Sequence, residues 1–304
     1  MKDRIEWVDV FKALVIILVV MGHTPFAFNL IIYTFHMAAF FLISGYTLDF
    51  AKIPFKAYLF NQSKRLIIPY LSINILFYLL KFIFSIFAYY MYYYAENPSI
   101  SQLISFIKNI SSVDLAGATW YLVVLFEAPI LAKLLFDILQ KLKICTYGFP
   151  IVAFISLLYA CYLYSNQHYL SYLFDLSLSA LFLIVAGYIF KQHSVFSKIN
   201  HHYALPVCLT TLYLLSFIKF SGINWPTRIF SSPVSIILAS FSGIVVFYLV
   251  SLDISKVKIL KSAFLYIGNK CWRFCFSTLA FLDFFIPSRF SLVGSNFHNY
   301  TNWF

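Results

Sequence analysis

The stretch that decides the fold is "FKALVIILVVMGHTPFAFNLIIYTFHMAAFFLISGY", residues 11–46. It is almost wholly apolar and long enough for two membrane-spanning helices, each of which needs about 20 apolar residues. Three ionisable side chains interrupt it: Lys12, His23 and His36. The stretch therefore predicts a helical membrane protein and raises the question of what these three residues do.

The rest of the chain has the same character. Of its 304 residues, 62% are hydrophobic and 11% are charged, which lies outside the usual composition of soluble domains. The long runs are apolar on all sides, whereas membrane strands alternate, so we expect an all-α membrane protein. About nine spans are predicted, near residues 9–28, 30–50, 66–90, 115–136, 147–165, 172–190, 203–220, 232–251 and 263–287.

The charge distribution predicts how the chain crosses the membrane. The net charge is +11, but the basic residues form short clusters beside the apolar runs, so we do not expect nucleic acid as a partner. With a cytoplasmic N-terminus, the predicted outer segments hold mainly Lys108 and Arg228. The inner segments then hold Lys2, Arg4, Lys52, Lys56, Lys64, Arg65, Lys141, Lys143, Lys191, Lys198, Lys256, Lys258 and Lys261. This bias predicts a multi-pass protein with its N-terminus in the cytoplasm.

The N-terminal segment and the cysteines bear on three features, namely a signal peptide, disulfides and metal ligands. The opening "MKDRIEWVDVFK" (residues 1–12) is too acidic for a cleaved signal peptide, so we expect the first helix to remain. The five cysteines include no CxxC pair, and most lie in apolar stretches where thiols behave as small hydrophobic groups, so they indicate neither a disulfide nor a metal site.

Lys12 and His23 are predicted to share one face of the first helix. They are 11 residues apart, or about three helical turns, which separates them by roughly 16 Å along the axis. Asp9 precedes Lys12 by three residues and could pair with it near the membrane surface. Lys12 is then either a surface-reaching lysine anchored by Asp9 or part of a functional site.

His23 and His36 pose a related choice. In an antiparallel hairpin centred between Asn29 and Leu30, the two imidazoles would lie at similar depth and could accept and relay a proton. Each could instead be a structural histidine bonded to a backbone carbonyl. No HExxH motif and no carboxylates at ligand spacing accompany them, so we expect no metal.

Three further segments place charged, polar or small residues in apolar surroundings. Lys64 and Arg65 open the third predicted span and could hold a phosphorylated cofactor or anchor the helix, with nothing in the charges to decide between the two. Glu127, predicted near the inner half of the fourth span, needs a partner such as Arg65 or Lys12. Ser44 and Gly45 indicate close helix packing.

Taken together, these segments resemble the acyltransferase 3 family of integral membrane O-acyltransferases, especially its fucose 4-O-acetylase-like branch, which modifies bacterial surface sugars. The resemblance covers roughly the first 190 residues. It rests on "RIEWVDVFKALVIILVVMGHT" (4–24), "FHMAAFFLISGY" (35–46), "KRLIIPY" (64–70), "TWYLVVLFEAP" (119–129) and, more loosely, "LIVAGYIF" (183–190).

The resemblance implies a fold and a set of roles. Lys12 takes the place of the family's first-helix arginine, with His23 eleven residues on as its histidine. The fold that the resemblance implies has about ten spanning helices. Together with the nine spans predicted above, we expect a bundle of about nine to ten. By this resemblance His23 is the catalytic histidine, His36 belongs to the matching histidine motif of the second helix, and Arg65 matches the basic residue before the third. Our hypothesis adds that His36 takes part in catalysis and that the donor phosphates meet Lys12, Lys64 and Arg65. Asp9 and Glu127 then orient these groups or balance charge.

The expected reaction is the transfer of an acetyl group from cytoplasmic acetyl-CoA to a sugar hydroxyl of a bacterial surface polysaccharide or its lipid-linked precursor, in the inner membrane. His23, assisted by His36, would take the hydroxyl proton, directly or with an acyl-enzyme step. The main alternative is a transporter of polysaccharide or lipid-linked sugar. A glycan polymerase is a weaker rival, since no long outer loop is predicted.

We expect one domain over residues 1–304. Its C-terminal part, from about residue 263, reads "YIGNKCWRFCFSTLAFLDFFIPSRF" (266–290) where the family usually has a segment like "YIGKNSL" followed by a histidine. This part is therefore expected to be divergent or truncated.

Overall fold

The computed structural model describes residues 5–22, 29–76, 79, 80, 83, 120–170, 173–199, 201–217, 225, 228 and 233–269. Within these residues, the regular elements are all helical. The helices are α1 (Glu6–Gly22), α2 (Asn29–Thr47), α3 (Phe55–Gln62), α4 (Trp120–Lys141), α5 (Cys145–Ser165), α6 (Phe174–Gln192), α7 (His201–Phe217), α8 (Pro233–Lys256) and α9 (Lys258–Asn269). A π-helical turn, Ser63–Ile67, joins α3 to the helical residues 68–76.

The all-helical prediction is confirmed for the described residues. Three of their helices are long and apolar enough to cross a membrane, namely α5, α6 and α8. Shorter apolar helices occupy Ile31–Thr47, within α2, and Tyr203–Leu212, within α7. A bundle of nine to ten spans stays a prediction, and residues 270–304, with most of the predicted last span, lie outside the described part.

Helices α1 and α2 run antiparallel. At one end the Tyr33 hydroxyl donates a hydrogen bond to the Gly22 carbonyl over 2.9 Å, and at the other the Trp7 and Tyr46 rings lie 5.2 Å apart. The predicted hairpin would have paired Gly22 with Met37, one helical turn further along α2. A count symmetric about the loop assumes parallel axes, whereas packed helices cross at an angle.

Aromatic contacts define which helix ends lie together. Rings of Trp7, Tyr46, Phe196 and Tyr248 have centroids 4.7 to 5.4 Å apart, which joins the start of α1, the end of α2, the segment after α6 and the last part of α8. We call this side the basic end, because the helix termini and short connections there carry Lys52, Lys141, Lys143, Lys191, Lys198, Lys256 and Lys258. The side at which α1 ends and α6 begins is the opposite end.

The most extensive contact between helices is that of α2 with α6. Both helices present a glycine at the crossing. A Cβ added to Gly45 would collide with the Ile184 carbonyl, and one added to Gly187 would collide with the Leu42 carbonyl. The predicted close packing at Gly45 is therefore present, and it fixes α2 against the long apolar helix α6.

Candidate active site

His36 is buried in the middle of α2. Its side chain is 5% exposed, and its Nδ1 lies 2.7 Å from the Ile32 carbonyl oxygen. Because a carbonyl only accepts, Nδ1 carries the proton, and the lone pair of a neutral ring is on Nε2. Such a bond satisfies a buried structural histidine and equally orients a general base, so the catalytic role of His36 stays a prediction.

His36 lies beside the point where α1 ends. The Tyr33 ring stands at 70° to the imidazole, with centroids 5.4 Å apart, and its hydroxyl bonds the carbonyl of Gly22. His23 follows Gly22 directly in the sequence but lies outside the described residues. Contacts of Tyr33 thus connect the surroundings of one predicted catalytic histidine to the residue that precedes the other.

Lys12 forms the pair predicted from its spacing. Its Nζ lies 3.7 Å from Asp9 Oδ1, with the lysine side chain 28% exposed and the aspartate side chain 9%. Both residues lie in the first half of α1, towards the basic end. This placement suits the surface-reaching lysine of the sequence analysis, and a contact of Lys12 with a donor stays a prediction.

Lys64 and Arg65 are exposed on the π-helical turn after α3. Beneath them, α3 buries Tyr58 and Gln62, whose side chains hydrogen-bond over 3.0 Å. Burial raises the pKa of Tyr58 to about 12, although the Gln62 bond and the charge of Arg65 partly oppose this, so the phenol remains neutral. The helix before the two cations is therefore held by its buried side chains, and the π turn that carries them packs on α4.

Glu127 lies on α4 and receives a hydrogen bond of 2.7 Å from the Ser177 hydroxyl of α6. Ser177 lies in the first turn of α6, so Glu127 lies towards the opposite end of the bundle. The sequence predicted it near the inner half of its span. Among the described residues, the hydrogen-bond partner of Glu127 is this hydroxyl, and the ion pair predicted with Arg65 or Lys12 is not formed. Its role in orientation or charge balance stays a prediction.

An ion pair that sequence reasoning missed lies next to Glu127. Asp175 is fully buried at the start of α6, and its carboxylate accepts hydrogen bonds from Arg228 Nε and Nη2 over 2.5 and 3.4 Å. The guanidinium also lies 5.0 Å from the centroid of the Tyr169 ring. Arg228 is one of the few basic residues in the predicted outer segments, and that rarity was the available signal.

The described residues thus divide into separate groups. Lys12 and Asp9 lie towards the basic end, Lys64 and Arg65 on the turn after α3, and Glu127 with the Asp175–Arg228 pair at the opposite end. Among the described residues, no group of three or more His, Cys, Asp or Glu side chains could hold a metal ion.

Comparison with known families gives the class of protein. The family model of the acyltransferase 3 family, described as an acyltransferase domain, matches residues 5–271. This match covers most of the chain, and the protein belongs to that family. It is therefore a helical membrane protein of the acyltransferase class. No curated protein and no solved structure matches the chain significantly.

Proposed function

We propose that the protein is a membrane O-acetyltransferase of the fucose 4-O-acetylase-like branch. It moves an acetyl group from cytoplasmic acetyl-CoA to a sugar hydroxyl of a bacterial surface polysaccharide, or of its lipid-linked precursor. The family match supports acyl transfer, and the observation that carries the proposal is the buried, oriented His36 beside the end of α1. Burying an ionisable side chain among apolar helices costs free energy, and in membrane proteins such side chains commonly mark functional sites.

In the proposed reaction, His23 acts as the general base, and His36 orients or assists it. The sugar oxygen attacks the acetyl carbonyl carbon, a carbon–oxygen bond forms, and the carbon–sulfur bond of the thioester breaks. The hydroxyl proton passes through imidazole to the departing thiolate, which gives an O-acetyl sugar and free CoA. Direct transfer and transfer through an acyl-histidine intermediate give the same products, and the proposal includes both routes.

The donor is proposed to enter from the cytoplasm. CoA carries several phosphate charges. The exposed Lys64 offers a point charge for them, and the exposed Arg65 offers forked hydrogen bonding. Lys12 is proposed to contact the donor as well. Asp9 balances the charge of Lys12, and Glu127 is proposed to act as an orienting or charge-balancing group at the opposite end. The lysines at the helix termini of the basic end support placing that end, and the N-terminus, in the cytoplasm of a bacterial inner membrane.

The proposal is tested with membrane vesicles, deuterium-labelled acetyl-CoA and a glycan acceptor. Wild type is expected to place labelled acetyl on the glycan, as read by mass spectrometry. Replacement of His36 by Asn is expected to lower turnover by about 100-fold or more, the usual contribution of a proton-handling group. The matched control is Thr34→Val, because Thr34 makes the same kind of bond to its own helix, with Oγ1 2.7 Å from the Ile31 carbonyl.

Two results would contradict the proposal. Consumption of the labelled acetyl-CoA with no labelled acetyl on any sugar would exclude sugar as the acceptor. Full turnover in His36→Asn would make that histidine structural. The alternative function, a polysaccharide or lipid-linked sugar transporter, predicts instead that glycan crosses the vesicle membrane without acetylation.

A further inference from the structure

The connection between α2 and α3, residues 48–54, is held by two lysines from other helices. Lys133 of α4 donates a hydrogen bond of 2.8 Å to the Phe50 carbonyl, and Lys191 of α6 donates one of 3.4 Å to the Leu48 carbonyl. Both bonds reach far across the sequence, so they fix the connection to the bundle rather than to its own neighbours.

Lys133 is the more unusual of the two, because it is 4% exposed. Its ammonium is balanced by Asp137 one turn further along α4, at 2.5 Å. A buried ammonium carries a large desolvation penalty, and an apolar side chain of similar length would often pack at least as well. Helix packing alone therefore does not account for a lysine here, whereas its bond to the Phe50 carbonyl requires a donor.

Phe50 is secured on its other side by aromatic rings. It is 1% exposed, and its ring centroid lies 5.7 Å from Phe136, 5.8 Å from Phe149 and 4.9 Å from Tyr188. The backbone of this residue is bound by Lys133 while its side chain is enclosed by α4, α5 and α6. Phe50 is thus a fixed point between the helix of His36 and the helix that leads to Lys64 and Arg65.

We propose that Lys133 is a positioning residue that sets the donor-binding turn relative to the catalytic histidines. This inference rests on the proposed function, in which Lys64 and Arg65 meet the CoA phosphates. The packing of α3 and the π turn against α4, the helix that carries Lys133, gives the same helix a second hold on that turn. Loss of the Lys133 bond releases the connection and changes donor binding more than acceptor binding.

The test compares Lys133→Met, Lys133→Arg and Lys141→Met. Lys141 is an exposed lysine at the end of the same helix and serves as the matched control. We expect Lys133→Met to raise KM for acetyl-CoA by about tenfold, with KM for the glycan changed less than about twofold. Lys133→Arg keeps the charge and the donor and restores most of the donor affinity, and Lys141→Met behaves as wild type.

A second readout is independent of catalysis. Hydrogen–deuterium exchange of Lys133→Met is expected to rise in peptides from residues 48–67 and to stay unchanged in α5 and α8. If wild type shows no acetyl transfer, the proposed function fails, while this exchange pattern still decides whether Lys133 holds the connection. Faster exchange throughout the chain, or equal changes in both KM values, would overturn the inference.

A variant that keeps the lysine covers the case in which Lys133→Met does not fold. Asp137→Asn removes the balancing charge and leaves the amine and its carbonyl partner in place. We expect a smaller rise of donor KM and of exchange in residues 48–67. No change of either quantity in Asp137→Asn, with Lys133→Met unfolded, would mean a role in folding alone and would overturn the inference.

Discussion

The Asp175–Arg228 pair sets the chemical character of the opposite end of the bundle. A carboxylate that is fully buried needs its charge balanced, and the side-on guanidinium, itself 16% exposed, does so with two hydrogen bonds. Glu127 lies close enough for its charge to interact with that of Asp175. Two acidic side chains and one arginine therefore share this region, and removal of the arginine would leave Asp175 without its cation.

This arrangement predicts that the effects of replacing Asp175 and Arg228 on stability are not additive. Arg228→Met is expected to destabilise the fold by about 3–5 kcal/mol, because Asp175 is left as an uncompensated buried charge. The double variant Asp175→Asn with Arg228→Met is expected to be more stable than Arg228→Met alone. Thermal unfolding in detergent measures both differences. A double variant that loses the sum of the two single effects would show that the residues do not interact.

At the scale of helices, the α2–α6 crossing fixes the helix that carries His36 against α6. His36 and Gly45 lie on the same helix, and the glycine lets that helix approach α6, which carries Ser177 and Asp175. Backbone contact of this kind is typical of membrane helices. The hydrophobic effect does not drive helices together in lipid, so close packing through small residues stabilises their association.

Substitution at the crossing is expected to be costly. A methyl group at Gly187 would meet the Leu42 carbonyl, and one at Gly45 would meet the Ile184 carbonyl, neither of which is able to rotate away. We expect either Gly→Ala change to destabilise the protein by about 1–3 kcal/mol or more. The control is Gly148→Ala, whose nearest contact is the flexible end of Leu139 at 3.2 Å. Equal melting temperatures for all three variants would contradict the close packing.

The length of the apolar runs predicted the long apolar helices of the described residues well. Spans predicted at 147–165 and 172–190 correspond to α5 (Cys145–Ser165) and α6 (Phe174–Gln192). The helix at Phe55–Gln62 was missed because it is too polar for a span, although it buries Tyr58 and Gln62 along one side. A search for apolar runs detects membrane crossings and passes over helices of this kind.

The polar partners were less accessible to sequence reasoning. The Asp9–Lys12 pair follows from helical spacing and was predicted, whereas Asp175 and Arg228 are 53 residues apart. Lys133 was not singled out either, because its carbonyl partner on Phe50 carries no sequence signal. Contacts between distant segments depend on how helices pack, and single-chain patterns do not encode that register.

At the scale of the whole molecule, the two ends differ in charge and in proposed task. The basic end gathers the lysines of the helix termini, and the opposite end holds Glu127, Asp175 and Arg228. This polarity suits a reaction whose charged donor comes from the cytoplasm and whose acceptor is a glycan at the membrane. The buried His36 lies on α2, about two turns from the end at which that helix begins.

The central claim is best tested by mass spectrometry of surface polysaccharide from cells in which the gene is deleted, restored, or restored as His23→Ala. We predict a loss of about 42 Da per repeat unit on deletion, recovered with wild type and not with His23→Ala, because the proton-handling group is missing. Unchanged acetylation after deletion, with less polymer at the surface, would contradict acetyl transfer and favour transport.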